Sequence, residues 1–304
     1  MDPTKPDQKD PSIKHPSLLS EIVALSKPRV IELLITTALP AMFLASRGYP
    51  DAIQIFGVLI GGTLAAGSSN AINSILEKDI DTNMNRTKNR PMAQNRLSPI
   101  FAWSFAIFAQ IVSFAIVFLT CNLVAALFTL LASFVYVFVY TIWLKPKTDQ
   151  NIVIGGAAGA LPVIIGYSAV TGTLNWQAFA MFLIVFLWTP AHFWALATFH
   201  EDDYRRGGFP MMPITQGKKR TSIAIYIYTF LTVLASLALV VDKDLGLIYL
   251  VVASILGAWF IYEASVLANN YKNLHRGRYM RFFHVSNGYL AVLFITIAVD
   301  AVIG

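Results

Sequence analysis

Charged residues are scarce in this chain. Only 13% of its 304 residues are Asp, Glu, Lys or Arg, and 56% are hydrophobic, whereas an average soluble domain is about 25% charged and 45–50% apolar. This composition excludes an ordinary soluble globular enzyme. The apolar residues also fall in long blocks, such as 101–119 and 223–241. Each block approaches the ~20 residues that a helix needs to cross a bilayer.

Cysteine is nearly absent as well. With Cys121 as the single cysteine, the chain can form no intrachain disulfide and no cysteine-based zinc or iron–sulfur site. We interpret Cys121 as a small packing residue. The first 28 residues are polar and lack the apolar core of a signal peptide, and their aspartates argue against a transit peptide. We therefore expect a bacterial inner-membrane protein, with a disordered cytoplasmic tail over residues 1–20.

The apolar blocks predict an all-α fold, a polytopic membrane protein with nine transmembrane helices. A barrel of alternating strands does not fit, because the blocks are continuous and rich in Leu, Ala, Ile and Phe. We treat residues 21–304 as one transmembrane domain. The predicted spans are 30–46, 52–76, 99–119, 122–144, 151–172, 176–199, 221–241, 245–268 and 282–303.

The distribution of basic residues predicts the orientation. With nine spans, 21 of the 23 Lys and Arg residues fall on the side of the N-terminus, and only Arg47 and Lys243 fall on the other side. Basic loops stay cytoplasmic, so we expect the N-terminus inside and the C-terminus outside. The positive net charge follows from this topology and from contact with anionic lipid, and no nucleic-acid recognition motif is present.

Polar side chains enter the cytoplasmic end of the second predicted helix. Asn70, Asn73, Glu77 and Asp81 fall within roughly 80° of one another at 3.6 residues per turn, so they form one polar stripe, and Asp79 points away from it. Carboxylates one turn apart repel each other. A hard divalent cation with oxygen ligands offsets that repulsion. The stripe therefore predicts a Mg²⁺ site.

Basic residues follow this stripe directly. Arg86, Lys88 and Arg90 lie in the next loop, and Lys145 lies at the cytoplasmic end of the fourth predicted helix. Mg²⁺ usually binds through one or two carboxylates plus phosphate oxygens, and basic side chains bind phosphate through charge-assisted hydrogen bonds. The acidic stripe and the basic residues next to it thus predict a site for an anionic diphosphate. For the bases alone, the alternative is a solvated loop that merely follows the orientation rule.

The sixth predicted helix carries the second polar group. If this helix continues past residue 199, His192 and Asp203 lie about 20° apart on its surface, which allows Asp203 to face the second helix. His192 has two interpretations, a functional ligand or a packed, hydrogen-bonded contact between helices. We interpret His200, at the membrane interface, as solvated.

These motifs resemble the UbiA superfamily of intramembrane prenyltransferases. The resemblance runs from Ser26-Lys-Pro-Arg29 to the last helix, and Asn73-x3-Glu77-x3-Asp81 stands at the first acidic motif, with Glu77 in place of the usual aspartate. More narrowly, three groups of residues are similar to the branch that farnesylates heme: Asp79-Ile-Asp81 with Arg86-Thr-Lys-Asn-Arg-Pro91, Leu144-Lys-Pro146 with Asn151-Ile-Val-Ile-Gly-Gly156, and Pro190-Ala-His-Phe-Trp194 followed by Asp202-Asp-Tyr204.

The resemblance implies nine helices around a cavity, in which two acidic motifs bind Mg²⁺ and a prenyl diphosphate. The implied Mg²⁺ ligands are Asn73, Glu77, Asp81, Asp203 and Asp202, and the implied diphosphate ligands are Arg86, Lys88, Arg90 and Lys145. His192 stands about where quinone-directed relatives begin their second motif with Asp, and imidazole is a common axial ligand of heme iron. The resemblance therefore implies heme binding by His192. Further candidate site residues are Asn70, Asp79, Arg29, Tyr140 and His200.

The implied reaction begins with ionisation of farnesyl diphosphate. The allylic cation adds to a vinyl group of heme B, and water captures the resulting cation to give heme O. Mg²⁺ is then the cofactor, while heme B and farnesyl diphosphate are substrates. Two alternatives stay open, prenylation of an aromatic quinone precursor and non-enzymatic binding or delivery of heme. Acid and base clusters confined to one leaflet argue against a transporter, whose sites usually lie near the midplane.

Overall fold

The computed structural model describes residues 17–241 and 245–303, except for the side chains at positions 29, 30, 33 and 34. Regular structure in this part of the chain is entirely helical. The helices are α1 (Leu18–Ser26), α2 (Pro28–Ser46), α3 (Ala52–Leu76), α4 (Lys78–Thr82), α5 (Pro99–Thr120), α6 (Leu123–Phe134), a π-helical segment (Val135–Leu144), α7 (Asn151–Gly155), α8 (Ala157–Thr171), α9 (Trp176–Phe199), α10 (Glu201–Arg206), α11 (Met212–Thr215), α12 (Gly217–Ala238), a 3₁₀ turn (Leu239–Val241), α13 (Leu247–Asn270) and α14 (Gly277–Ile303).

The long helices coincide with the predicted spans to within a few residues. In the described part of the chain, eight helical stretches are long and apolar enough to cross a membrane, and α2 adds a shorter apolar stretch, Ile35–Ser46. The chain is therefore a multi-pass membrane protein. α12 and α14 begin four and five residues before the predicted spans, because their first turns are basic and an apolar window excludes them.

The predicted boundary of the N-terminal tail is wrong. Residues 1–16 lie outside the described residues, but α1 begins at Leu18, so residues 18–20 are helical. The Ser17 side chain accepts a hydrogen bond from the Ser20 amide and so caps this helix. Leu18 and Leu19 are exposed while Glu21 and Leu25 are buried, and α1 packs on α3.

Side-chain caps fix the starts of several membrane helices. Ser98 and Asn122 accept hydrogen bonds from backbone amides in the first turns of α5 and α6, and Asp51 and Asn175 do the same for α3 and α9. Each cap satisfies an amide that has no partner within its helix. These short polar side chains therefore set where each span begins.

The spans form a closed series of contacts, in which α8 lies between α6 and α9 and also packs on α2. α3 packs on α5, and α9 on α12, while α14 contacts both α2 and α9 and closes the series. α8 is the most buried of the candidate spans. A Cβ atom at Gly166 would lie only 2.2 Å from the Ala38 carbonyl oxygen, so α2 and α8 approach at a position that only glycine permits. Large apolar side chains such as Phe108 and Ile255 point outward, as expected for a lipid-facing surface.

Candidate active site

Contacts between side chains join the polar segments at one end of the bundle. Every predicted cytoplasmic segment takes part. The contacts are Lys27 with Asn73, Lys145 with Glu77, Asp203 with the loop after α4, Asp149 with Thr215, and Arg276 with Asp202. The segments that carry most of the basic residues therefore share one face, as the charge pattern predicts.

The predicted polar stripe at the end of α3 forms the centre of this face. Six residues make up what we name the acid–base cluster: Lys27, Asn73, Glu77, Asp81, Arg90 and Lys145. All three stripe residues of this cluster are buried. The amide oxygen of Asn73 accepts from the Lys27 Nζ at 2.6 Å, Glu77 pairs with Lys145, and Arg90 Nη1 donates to both oxygens of Asp81 at 2.9 and 2.8 Å.

Local backbone structure brings two of these cations to the stripe. Lys27 has φ of 54° at the junction of α1 and α2, a left-handed conformation that is uncommon outside glycine, and its side chain reaches α3. The π-helical segment ends at Leu144, directly before Lys145. Within that segment, Thr141 accepts a hydrogen bond from Asn73 at 3.3 Å. Insertions of π-helix are frequent at functional sites.

Burial and charge act against each other in the cluster. Burial acts to raise the pKa of Glu77, but its ion pair with Lys145 and the nearby Lys27 and Arg90 together outweigh burial, and the pKa of Glu77 is lowered. Burial lowers the pKa of Lys145 despite the opposing effect of Glu77. Burial also lowers the pKa of Lys27 well below its usual range. Burial thus disfavours the charged form of both lysines, and a nearby anionic group would favour it.

The second acidic motif reaches the first through the loop after α4. Asp203 is buried in α10 and accepts from the backbone amides of Asn85 and Arg86 at 3.3 and 3.0 Å, and it pairs with Arg206. Burial acts to raise the pKa of Asp203, but the two amides and Arg206 outweigh it and lower that pKa. Asp203 therefore contacts the loop that follows the first acidic motif, from a separate helix, because α9 ends at Phe199 and α10 begins at Glu201.

Aromatic side chains connect Asp203 with the acid–base cluster. The Arg86 guanidinium lies 5.8 Å from the ring centre of the buried Tyr204, and Tyr204 contacts Phe209 edge-on. Lys145 Nζ lies 4.5 Å from the Phe209 ring centre and 5.7 Å from that of Tyr140. Arg86 and Lys145 therefore approach the same aromatic group from two sides.

Other predicted site residues lie at the rim or apart. Asp79 and Lys88 are exposed, as the helical arithmetic predicts for Asp79. Asp202 is exposed and pairs with Arg276, so it is not brought together with Glu77 and Asp81. His200 is half-buried and lines a shallow polar pocket with Arg86, Asp203 and Arg276. The side chain of Arg29 lies outside the described residues.

An apolar cavity of about 300 Å³ lies inside the bundle, and its lining residue Tyr140 contacts Lys145 of the acid–base cluster. Asn70 and Tyr140 line its polar end, and Asn70 accepts a hydrogen bond from Tyr136 at 3.1 Å. On α3 the lining continues to Val58, twelve residues from Asn70, which corresponds to ~18 Å of helix. Gly155 packs on Tyr140, whereas Gly159 lines the cavity and has no atom within 4 Å of the position of an added Cβ.

The donors fit a magnesium ion that a substrate helps to bind. Among the described residues, no three His, Cys, Asp or Glu side chains are grouped so that they could hold a metal by themselves. The cluster instead offers the carboxylates of Glu77 and Asp81 beside the amide oxygen of Asn73, with Asp203 across the loop. Mg²⁺ commonly binds through one or two carboxylates together with substrate phosphates, so this donor set is adequate.

Sequence reasoning missed Lys27. Its motif, Ser26-Lys-Pro-Arg29, carried the family resemblance, and a lysine directly before the first span follows the orientation rule without any further role. The position of Lys27 in the cluster depends on the turn between α1 and α2, which the hydropathy pattern does not indicate.

Comparisons with known proteins agree on one family. Residues 34–287 match the model of the UbiA prenyltransferase family. Protoheme IX farnesyltransferase 1 of Saccharopolyspora erythraea is 46% identical over 294 residues, which cover 97% of this chain and 94% of that relative. A protoheme IX farnesyltransferase of Mycobacterium sp. (strain KMS) is 46% identical over 281 residues, covering 92% of this chain and 90% of the relative.

Solved structures share the fold. A digeranylgeranylglyceryl phosphate synthase is similar with a TM-score of 0.77 at 18% identity, over 93% of this chain and 98% of its own. A UbiA homologue from Archaeoglobus fulgidus, bound to DMAPP and Mg²⁺, gives a TM-score of 0.64 at 16% identity, over 92% of this chain and 99% of its own. At such identities the similarity concerns the helical architecture alone.

Proposed function

Because the chain belongs to the UbiA prenyltransferase family, we propose that it transfers a farnesyl group from farnesyl diphosphate to a vinyl group of heme B, giving heme O. The observation that carries the proposal is that the acid–base cluster lies next to residues that line the apolar cavity. Asn70 and Tyr140 line that cavity and contact the cluster region through Tyr136 and Lys145. An amphiphile with an anionic head and an isoprenoid tail suits this arrangement.

The head of the substrate would bind among paired charges. Asn73, Glu77, Asp81 and Asp203 are the residues that would hold Mg²⁺, which when bound supplies positive charge that stabilises the departing diphosphate. Lys27, Arg90 and Lys145 would donate hydrogen bonds to the remaining diphosphate oxygens, as would Arg86 and Lys88 from the loop. Donors positioned where negative charge develops lower the barrier to bond breaking.

The reaction balances with water as the third reactant. The bond between the allylic carbon and the diphosphate oxygen breaks, and that carbon forms a bond with the vinyl group of heme B. Water then adds a hydroxyl to the resulting cation and one proton is released. Apolar cavity walls of α3 and α8 keep other water away from the allylic cation until the acceptor reacts.

The orientation of the chain completes the proposal. With basic segments on one face, we place the acid–base cluster at the cytoplasmic surface of a bacterial inner membrane, with the N-terminus inside and the C-terminus outside. The diphosphate of the substrate would then bind at the cytoplasmic surface, and its farnesyl tail would lie in the apolar cavity, at the depth of the membrane. An aromatic quinone precursor fits this site less well than heme B does. The imidazole of His192 is a common ligand of heme iron, whereas a phenolic acceptor has no metal for it to bind.

A mass measurement tests the proposed function. Purified protein is incubated with heme B, farnesyl diphosphate and Mg²⁺, and the hemes are separated by mass. We expect a heavier heme that carries one hydroxyethylfarnesyl group, and EDTA should stop its formation. Asp81→Ala should lower the rate on the order of 10²–10³-fold, since it removes a charge-stabilising group. Asp79→Ala, exposed on the same short helix, is the matched control and should retain activity.

The same assay separates the alternatives. Heme that binds but gains no mass would support a binding or delivery protein. A quinone precursor that is prenylated while heme is not would support the other branch of the family. Full activity of Asp81→Ala would refute the assigned role of the stripe.

A further inference from the structure

His192 is held in a fixed orientation between α9 and α14. Its ring stacks on Trp188 at 4.1 Å and on Phe283 at 4.3 Å between ring centres. The side chain is 9% exposed. Thr189 and Phe193, the neighbours of His192 on α9, line the apolar cavity, so His192 occupies the adjoining face of the helix, towards α14. The ring has little freedom to rotate away from this position.

A count of protons assigns the tautomer of His192. Ser286 Oγ lies 2.7 Å from His192 Nδ1 and 2.7 Å from the Phe283 carbonyl oxygen. A carbonyl oxygen only accepts, so the single hydroxyl proton of Ser286 lies towards Phe283. Ser286 Oγ must then accept a proton from Nδ1. This geometry favours a hydrogen on Nδ1, which in the neutral ring leaves the lone pair on Nε2.

The Nε2 atom of His192 has no hydrogen-bond partner among the described residues, although Nδ1 is bonded. Nε2 of His192 is not one of the fully buried side-chain atoms that lack a partner in the described part of the chain, so it keeps surface that a ligand can reach. A free lone pair opposite an oriented N–H is the arrangement found in metal-bound histidines.

We propose that Ser286 is a positioning residue that presents Nε2 of His192 as the axial ligand of the heme iron. The inference rests on the proposed function, because heme must be the acceptor. The hydrogen bond sets both the tautomer and the angle of the ring. Iron bound at Nε2 fixes the porphyrin beside the cavity, and the vinyl group then meets the allylic carbon in a defined position. The iron changes neither its oxidation state nor its charge in this role.

Ferric heme binding in the absence of farnesyl diphosphate tests the proposal. Purified protein is titrated with ferric heme B alone, and the Soret band and the spin state report the axial ligand. His192→Ala should lose the histidine signature, and added imidazole should restore it. His284→Ala is the matched control, since His284 is an exposed neighbour on α14, and its spectrum should equal that of the unaltered protein. An unchanged Soret band in His192→Ala would overturn the proposal.

Ser286 is tested by the strength of the iron–histidine bond. Removing a group that orients a metal ligand typically lowers affinity by about 10–100-fold, so Ser286→Ala should bind heme more weakly by that factor. In the ferrous protein, the iron–histidine stretching band should shift in Ser286→Ala and return in Ser286→Thr, which keeps the hydroxyl. Equal affinity and an unshifted band in Ser286→Ala would contradict the positioning role.

Failure of this proposal is distinguishable from failure of the proposed function. Farnesylation of heme by His192→Ala with an unchanged heme spectrum would overturn axial ligation and leave the transferase assignment intact. A histidine-ligated heme that never gains mass would support the ligation by His192 and refute the transferase assignment.

Discussion

Lys27 is held among charges of both signs. Its ammonium lies within electrostatic reach of Glu77, Asp81, Arg90 and Lys145, and its direct partner is the amide oxygen of Asn73. An amide is a weaker partner for a buried cation than a carboxylate is. Among the three basic side chains of the cluster, Lys27 therefore exchanges its present hydrogen bond, to Asn73, most easily for one to a phosphate oxygen.

We expect Lys27→Ala to lower kcat/KM for farnesyl diphosphate by about 10²-fold, because one charged donor to the departing group is lost. Lys27→Arg keeps the charge and should recover part of the rate. Steady-state kinetics at saturating heme B provides the measurement. Lys78→Ala, at the start of α4, controls for a simple loss of positive charge on this face. Equal rates for Lys27→Ala and Lys78→Ala would remove Lys27 from the site.

Helical periodicity was sufficient to predict the acidic stripe but not its partners. Asn73, Glu77 and Asp81 are related by local spacing on one helix and its continuation, so a count of 3.6 residues per turn brings them together. The bond from Lys27 to Asn73 joins residues 46 positions apart, and it depends on a left-handed backbone turn. Such a contact follows from tertiary packing, which neither charge nor periodicity indicates.

At the scale of elements, hydropathy predicted the spans and missed the irregular segments. The wide apolar windows that identify membrane helices are insensitive to hydrogen-bond pattern, so the π-helical segment Val135–Leu144 was predicted only as part of an ordinary span. The short helices α1, α4, α10 and α11 were also not separated from loops. Several site residues lie in or beside these elements, which explains why the spans were predicted more completely than the site.

The contact between α2 and α8 should be sensitive to a single methyl group. Gly166→Ala places Cβ against the Ala38 carbonyl oxygen, and overpacking of this kind costs about 1–3 kcal/mol. We expect a lower Tm in detergent for Gly166→Ala. Gly159→Ala on the same helix is the control, since a Cβ there has no atom within 4 Å, and its Tm should stay close to that of the unaltered protein. Equal Tm values for the two variants would contradict the close approach.

The wall of the cavity formed by α3 should determine the length of the prenyl chain. Gly62 lines the cavity, and a Cβ added there meets no atom within 4 Å. It lies eight residues from Asn70, or ~12 Å further into the bundle. Gly62→Leu should therefore lower kcat/KM for farnesyl diphosphate more than for geranyl diphosphate, whose chain is one isoprene unit shorter.

Competition between the two diphosphates in one reaction provides the measurement for Gly62→Leu, with heme products separated by mass. An equal loss for both substrates would indicate a general disturbance of α3. An unchanged preference for farnesyl diphosphate would place the tail elsewhere.

At the scale of the whole molecule, the orientation can be tested with single cysteines. In a Cys121→Ser background, Tyr49→Cys lies in the exposed turn between α2 and α3, and Lys147→Cys lies in the exposed loop before α7. We expect a membrane-impermeant maleimide to label Tyr49→Cys in intact cells and Lys147→Cys only after lysis. Labelling in the reverse order would invert the predicted topology.

The pairing of Glu77 with Lys145 and of Asp81 with Arg90 has a consequence for how a substrate arrives. The cluster holds three basic side chains against two carboxylates, and burial disfavours the charged form of the third, Lys27. Both carboxylates of the cluster are thus paired with basic side chains before any substrate binds. Binding of a diphosphate with its metal would then be an exchange of partners, in which the carboxylates would hold the metal and the released basic side chains would bind phosphate oxygens.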